Sequence, residues 1–290
     1  MIISWRGVSQ MKAAFRQFIR DTFRKRGYLV AKYPSIAFQP VPVFDLAIQL
    51  LMMTRGTACT FVEVGANNGN YGDPLCRYVL EFPWRGILIE PQPDVFASLQ
   101  SNYASAEERL IFENVAISKD ARELILYRAR PGATLDDVYA SSVVSTNPVL
   151  VAAQLKISPN RLESFAVPCL TLDALLAKHG WTTFDLLLLD TEGNEAEVME
   201  SLDLKVFRPL IIRFEHGHLT PVKLDRAIGY LLANGYRIVY GGYQFDSIAL
   251  HENFHGLVNG ALAKSRLPSS KNQIRHTAGS GPSSSAGSLQ

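Results

Sequence analysis

The sequence predicts an α/β fold: a mostly parallel sheet with helices on both faces, closed by an antiparallel hairpin. Three observations carry this reading. Strand-like and helix-like segments alternate along most of the chain. The runs GILIE (86–90) and FDLLLLD (184–190) are apolar with almost no alternation, as strands covered on both faces are. Near the end, Gly241 and Gly242 in YGGY join the last two strand-like runs as a two-residue hairpin turn does.

The elements follow in order. MKAAFRQFIRDTFRKRGY (11–28) reads as an amphipathic helix, with Met11, Phe15, Phe18, Ile19 and Phe23 on one face and Lys12, Arg16, Arg20 and Arg24 in an i, i+4 row on another. Such a helix either lies on a membrane surface or docks on the core with its basic face in water. Strands are expected at 60–65, 86–90, 110–117, 122–128, 184–190, 209–215, 235–241 and 243–250. Helices are expected at 42–54, 74–81, 93–103, 171–179, 194–202 and 220–234. Residues 130–165 have few periodic cues and read as an insertion or flexible loop. The Ser/Gly-rich end, with Ile274 and Leu289 as its only large aliphatic residues after position 268, reads as disordered. The chain thus divides into an N-terminal helical extension (1–55), one main domain (56–263) and a tail (264–290).

Composition narrows the function classes. The 290 residues, 47% of them hydrophobic, suffice for a full core in one domain. No apolar run reaches the roughly 18 residues of a membrane span, and MIISWRGVSQMK is too short and too polar for a secretory signal. Three lone cysteines, Cys59, Cys76 and Cys169, suit buried thiols in a reducing compartment, which makes the cytoplasm the expected location. The net charge of +2 hides a partition: basic ends flank a body, residues 33–263, with 17 basic and 26 acidic residues. An acidic body argues against nucleic acid as a partner.

The motif FVEVGANNGNYGDP (61–74) runs a buried strand into a turn of small and polar residues. Ligands of a parallel sheet bind at the carboxyl ends of its strands. Gly65 allows a tight turn there, Ala66 and Gly69 let backbone approach a ligand, and Asn67 and Asn68 tolerate unusual backbone angles. About 25 residues on, Glu90 ends the next strand, where a carboxylate can take both hydroxyls of a ribose. Together these features describe a nucleoside-containing cofactor. A dinucleotide fingerprint would have a glycine where Asn67 stands. The carboxylate of Glu63 beside the turn would repel a pyrophosphate but suits the ammonium and sulfonium of S-adenosylmethionine.

The stretches FVEVGANNGNYGDP, ILIEPQP, FENVAIS, VPCLTLDALL, FDLLLLDTEGNEAEVM and LIIRFEH, in this order over residues 60–250, resemble the FkbM family of S-adenosylmethionine-dependent methyltransferases. The resemblance implies the Rossmann-like class I fold with a seven-stranded sheet. It also implies methyl transfer, usually to a hydroxyl oxygen of a sugar, polyketide or other natural product. By the same resemblance Glu63, Gly65 and Asn67 hold the methionine end of the cofactor, Glu90 the ribose, and Asn114, Val115 and Ala116 the adenine edge. Neither the basic N-terminal helix nor the Ser-rich tail belongs to the family pattern.

An alcohol acceptor must lose its proton, which calls for a general base or a metal-bound oxygen. Asp190 and Glu192 end one strand, and Glu215 and His216 end the next; Asp190, Glu192 and His216 are the candidate catalytic groups. Glu215, His218, Ser141 and Ser142 are candidate acceptor contacts. Glu195 and Glu197 are expected to complement a helix dipole, Asp185 to be structural, and His179 to meet last-turn carbonyls. The spacing is no metal signature, so a divalent ion is not indicated. Two other readings stay open: a dinucleotide-dependent oxidoreductase, and a non-catalytic binding protein on the same fold.

Overall fold

The computed structural model describes residues 43–70, 72–134, 137–240 and 246–264. The basic helix expected at 11–28, the YGGY turn and the Ser/Gly tail lie outside them. The first described element is helix α1 (Val43–Arg55), followed by strand β1 (Thr60–Val64), α2 (Cys76–Glu81), β2 (Arg85–Ile89), α3 (Pro93–Asn102) and β3 (Leu110–Glu113). Next come β4 (Ala116–Ile117), β5 (Glu123–Ala129), α4 (Asp137–Ser142), α5 (Pro148–Leu155), β6 (Leu162–Leu170) and α6 (Leu172–Lys178). The chain continues through β7 (Leu186–Leu189), α7 (Glu195–Glu200), β8 (Ile211–Glu215), α8 (Pro221–Ala233), β9 (Tyr236–Tyr240), β10 (Asp246–His251) and α9 (Glu252–Lys264).

Seven strands form one sheet in the order β3-β2-β1-β7-β8-β10-β9. The first five run parallel, and β10 is antiparallel to both β8 and β9. This is the seven-stranded arrangement that the resemblance implies, with the antiparallel closure that the sequence predicts. The chain steps outward from β1 through β2 to β3, then returns to lay β7 on the other side of β1. A switch point therefore opens between β1 and β7, where such sheets hold ligands.

Strand alternation sorts the core into two layers. Val62, Val64, Leu187, Leu189, Ile212 and Phe214 face α6, α7 and α8. Phe61, Leu186, Leu188 and Ile211 face α1, α2, α3 and α9. Leu187, Phe61 and Ile212 are fully buried, and each such side chain contributes about 1.5–3 kcal/mol. Helix α1, which the sequence reading placed in an extension, is part of this core through Ala47, Ile48 and Leu51.

Two expectations need correction. The strand expected at 110–117 is two strands in different sheets: β3 pairs with β2, β4 pairs with β6, and Asn114 lies in the break between them. Of the two readings of residues 130–165, the insertion holds and the flexible loop does not. These residues carry α4, α5 and the first residues of β6, and β6 pairs along its length with β5 in a second, three-stranded sheet. Pro168 and the absence of strict alternation conceal β6 in the sequence. Helix α5 is apolar on all sides, which hides its period, yet its start is orthodox: Pro148 follows Asn147, whose side chain accepts the Val149 and Leu150 amides. This subdomain has its own small core around Ala133, Val143, Val151 and Leu162. Among the described residues no helix is long and apolar enough to cross a membrane.

Candidate active site

The turn after β1 is held by contacts from two neighbouring strands. Gly65 has φ +85°, and a Cβ there would sit 1.8 Å from the carbonyl oxygen of Asp190, so only glycine fits. The amides of Gly65 and Ala66 both donate to the Ile89 carbonyl, at 2.9 and 3.0 Å. Asn67, at φ 48°, donates its amide to Glu90 Oε2 at 3.0 Å, and Gln92 donates its amide to Glu90 Oε1 at 2.9 Å. Glu90 thereby ties the end of β2 to the turn. It is buried, and desolvation pushes its carboxyl up to about 7.

A cleft of about 1200 Å³, open mouth included, lies over these carboxyl ends. Of the predicted residues it brings together Glu63, Gly65, Ala66, Asn67, Glu90, Val115, Ala116, Ser142, Asp190, Glu192 and Glu215. Leu124, Leu126, Val144 and Ser145, from the small subdomain, close its far wall. Val144 and Ser145 come from the segment first read as an insertion or flexible loop, which thus supplies part of a wall of the site.

Other predicted residues stand elsewhere. Gly69 does not line the cleft: a Cβ there would strike the Tyr103 ring at 2.4 Å, so it is a packing glycine. Asn114 turns its amide to the Glu90 carbonyl at 2.8 Å and reaches the cleft only through its neighbours. The Ser141 carbonyl accepts from the Gln92 side chain at 2.9 Å; Ser142 does line the cleft, but its hydroxyl donates to the Tyr139 carbonyl. His216 lies off the cleft lining, with Nδ1 3.0 Å from Ser247 Oγ. His218 instead meets the acids: its Nε2 is 3.3 Å from Glu192 Oε2 and 3.4 Å from Glu215 Oε1.

The supporting cast also differs from expectation. Fully buried Glu195 accepts the amides of Thr191 and Gly193 and the Thr191 hydroxyl, bracing the loop rather than merely facing a helix dipole. Glu197 accepts the Ser118 hydroxyl at 2.7 Å. His179 pairs with Glu113. Asp185 is structural, accepting from the Thr60 amide and hydroxyl and pairing with Arg55.

The electrostatics centre on buried carboxylates. Desolvation raises Asp190 to about 6, Glu192 to about 8 and Glu215 to about 10; neighbouring acids add to all three, and Arg213 holds Asp190 back. Glu63 is pushed well up by burial and by Asp73, and its Oε2 accepts no hydrogen bond. Burial lowers His218, favouring the neutral imidazole. Arg213 lines the cleft and pairs with Asp246 at 2.7 Å. Sequence reasoning missed Arg213 and Asp73. The signal for Arg213 was a lone charge inside the apolar run LIIRFEH; Asp73 stood in the quoted motif, beside Pro74.

A pH dependence follows. In the unfolded chain these acids titrate near 4 to 4.5, whereas folded Asp190, Glu90 and Glu192 titrate near 6, 7 and 8. The folded state therefore holds protons that the unfolded chain releases, and stability falls as pH rises through about 4.5 to 8. Glu113 and Glu200, lowered by cationic partners, oppose this only on the acid side. Scanning fluorimetry of the ligand-free protein should show Tm highest near pH 5 and declining towards pH 8; a flat or rising profile would refute it.

The methyltransferase FkbM domain model matches residues 63–238, more than half of the chain. No curated protein matches. Among solved structures, methyltransferase FkbM from Methylobacillus flagellatus KT is similar at 13% identity and a TM-score of 0.43, covering 67% of this chain and 44% of that one. The chain thus spans less than half the length of that relative. An O-methyltransferase from Bacillus cereus, in complex with SAH, is similar at 14% identity and a TM-score of 0.41, covering 73% and 82% of the two chains. A putative O-methyltransferase from Klebsiella pneumoniae is similar at 12% identity and 0.41, covering 71% and 80%.

Proposed function

The chain belongs to the methyltransferase FkbM domain family, and from that premise we propose that it uses S-adenosylmethionine to methylate a hydroxyl oxygen on a glycan, polyketide or other small natural product. The observation that carries this reading is the acid-lined cleft at the switch point of the sheet, where Glu63 Oε2 is buried without a hydrogen-bond partner and Glu90 ends β2. Buried carboxylates suit a ligand that brings positive charge and disfavour the pyrophosphate of a dinucleotide.

The residues fit such a cofactor. Glu63, Gly65 and Asn67 would hold its amino-acid end, Glu90 the ribose hydroxyls, and Val115 and Ala116 its base. When bound, the cofactor supplies an already activated methyl group. The chain supplies placement and proton management. Leu124, Leu126 and Val144 screen the cleft from water, and Ser145 donates to the Glu192 carbonyl at 2.9 Å, fixing the wall to the acid loop. Glu192, Glu215 and His218 receive the acceptor hydroxyl, whose proton leaves there. The acidic lining also disfavours nucleic acid. We place the reaction in the cytoplasm on the ground that Cys59, Cys76 and Cys169 are all unpaired.

The deciding experiment compares thermal shifts with S-adenosylhomocysteine and with NAD. The first should raise Tm and the second should not; the reverse would favour the oxidoreductase, and no shift with either the binding protein. Labelled methyl donor with hydroxylated glycans and natural products then identifies the acceptor. Replacing Glu90 by Ala removes hydrogen bonds to a charged group worth about 1.5–3 kcal/mol, so calorimetric affinity for S-adenosylhomocysteine should fall at least about tenfold. Unchanged affinity would end the ribose assignment.

A further inference from the structure

Glu192, Glu215 and His218 come from two different strand ends, yet one ligand atom of each lies within 4.8 Å of the others. His218 Nε2 is 3.3 and 3.4 Å from the two carboxylates. Two ligands on adjacent corners around a small divalent cation are about 3 Å apart, given metal–oxygen bonds near 2.1 Å. The three side chains are therefore one short adjustment from a facial set of ligands.

A second observation points the same way. Glu192 is 9% exposed, and its Oε2 accepts no hydrogen bond; its carboxylate is otherwise held by the Gln154 side chain. Glu215 Oε2 is buried and equally unpartnered. Two carboxylates with shielded oxygens that accept no hydrogen bond, side by side around an imidazole, make a ready donor set for a cation. The backbone is committed to the arrangement: Glu192 has φ 52°, the next residue is Gly193 at φ 100°, and Lys223 donates to the Gly193 carbonyl at 2.6 Å.

We propose that Glu192, Glu215 and His218 form a binding site for a divalent cation at the acceptor end of the cleft. Two carboxylates and one imidazole suit Mn²⁺ best, with Mg²⁺ next, since carboxylate oxygens favour both and the imidazole favours the former. Three protein ligands leave coordination positions open to an acceptor's hydroxyl oxygens. An oxygen bound there gives up its proton to solvent water far more readily than a free alcohol does. The inference deepens the proposed methyl transfer and rests on it only for the identity of that acceptor; the cation site itself does not require it.

The test is calorimetric and paramagnetic-resonance titration of the full chain with Mn²⁺, without cofactor or acceptor. One site per chain is expected. Glu215→Gln and His218→Gln should each weaken it at least tenfold, whereas His216→Gln should not. Glu215→Gln keeps the size and shape of the side chain, so its metal-free Tm should not fall below the parent's, and loss of binding there cannot then be blamed on unfolding. Absence of Mn²⁺ and Mg²⁺ binding up to millimolar concentration, or binding indifferent to Glu215→Gln, would overturn the proposal. Methyl transfer that persists in chelator with no Mn²⁺ site would overturn it while leaving the methyltransferase reading intact. A Mn²⁺ site in a chain that ignores S-adenosylhomocysteine would sustain it and sink that reading instead.

Discussion

A Gly65→Ala variant is expected to lose several kcal/mol of stability and all measurable affinity for S-adenosylhomocysteine. The added Cβ would stand 1.8 Å from the Asp190 carbonyl oxygen, a backbone atom that cannot swing aside, and φ is +85°. Relief requires β1 and β7 to part at the switch point. That breaks the Asp190 amide's bond to the Val64 carbonyl and opens the cofactor end of the cleft. Strain of this kind belongs to the small class of substitutions that cost more than about 4 kcal/mol. Gly180→Ala is the control: Gly180 has φ +66° with nothing within 4 Å, so only the conformational penalty of about 1 kcal/mol applies. Denaturant unfolding of both variants checks the contrast. Equal, small losses would show that the turn has room the structure denies it.

The second large effect separates two histidines two residues apart. His218→Gln should lower methyl transfer by about a hundredfold or more while leaving cofactor affinity within a few-fold. His216→Gln should stay within a few-fold of the parent in both. Single-turnover rates and calorimetry measure the two quantities independently. If His216→Gln is the crippled variant, the proton leaves through the Ser247 side of β8 and the Glu192, Glu215 and His218 group has another purpose.

The sequence reading had chosen His216, because imidazole titrates close to neutral pH and the strand end that carries it was expected to face the cofactor. Had β8 continued, residues 214, 216 and 218 would share one face and Glu215 the other. The chain turns instead, with the Leu219 amide donating to the His216 carbonyl, and the turn folds His218 back beside Glu215. No local pattern announces this. Gly69 went astray for a related reason: a glycine needed for a ligand and one needed for an aromatic ring read alike until Tyr103, far along the chain, is placed against it. In the small subdomain the sequence showed β5, expected at 122–128, but not its partner β6, whose run LESFAVPCL carries no clean period of two.

What the sequence by itself determined was local: the buried strands of the main sheet, the left-handed turn after β1, the carboxylate ending β2, and the motif order that places the chain in its family. These depend on side-chain periodicity and on glycine's backbone freedom, both properties of neighbouring residues. The tertiary structure alone decided which distant groups meet. Sheet order sets β7 beside β1, so the Asp190 carbonyl makes Gly65 obligatory. It sets β8 beside β7, so Glu192 and Glu215 share the cleft and both meet His218, and alternation turns Arg213 to the same sheet face as Glu63. Burial then shifts every one of those acids in the same direction, because desolvation depends on what surrounds a carboxylate in space and not on what precedes it in the chain.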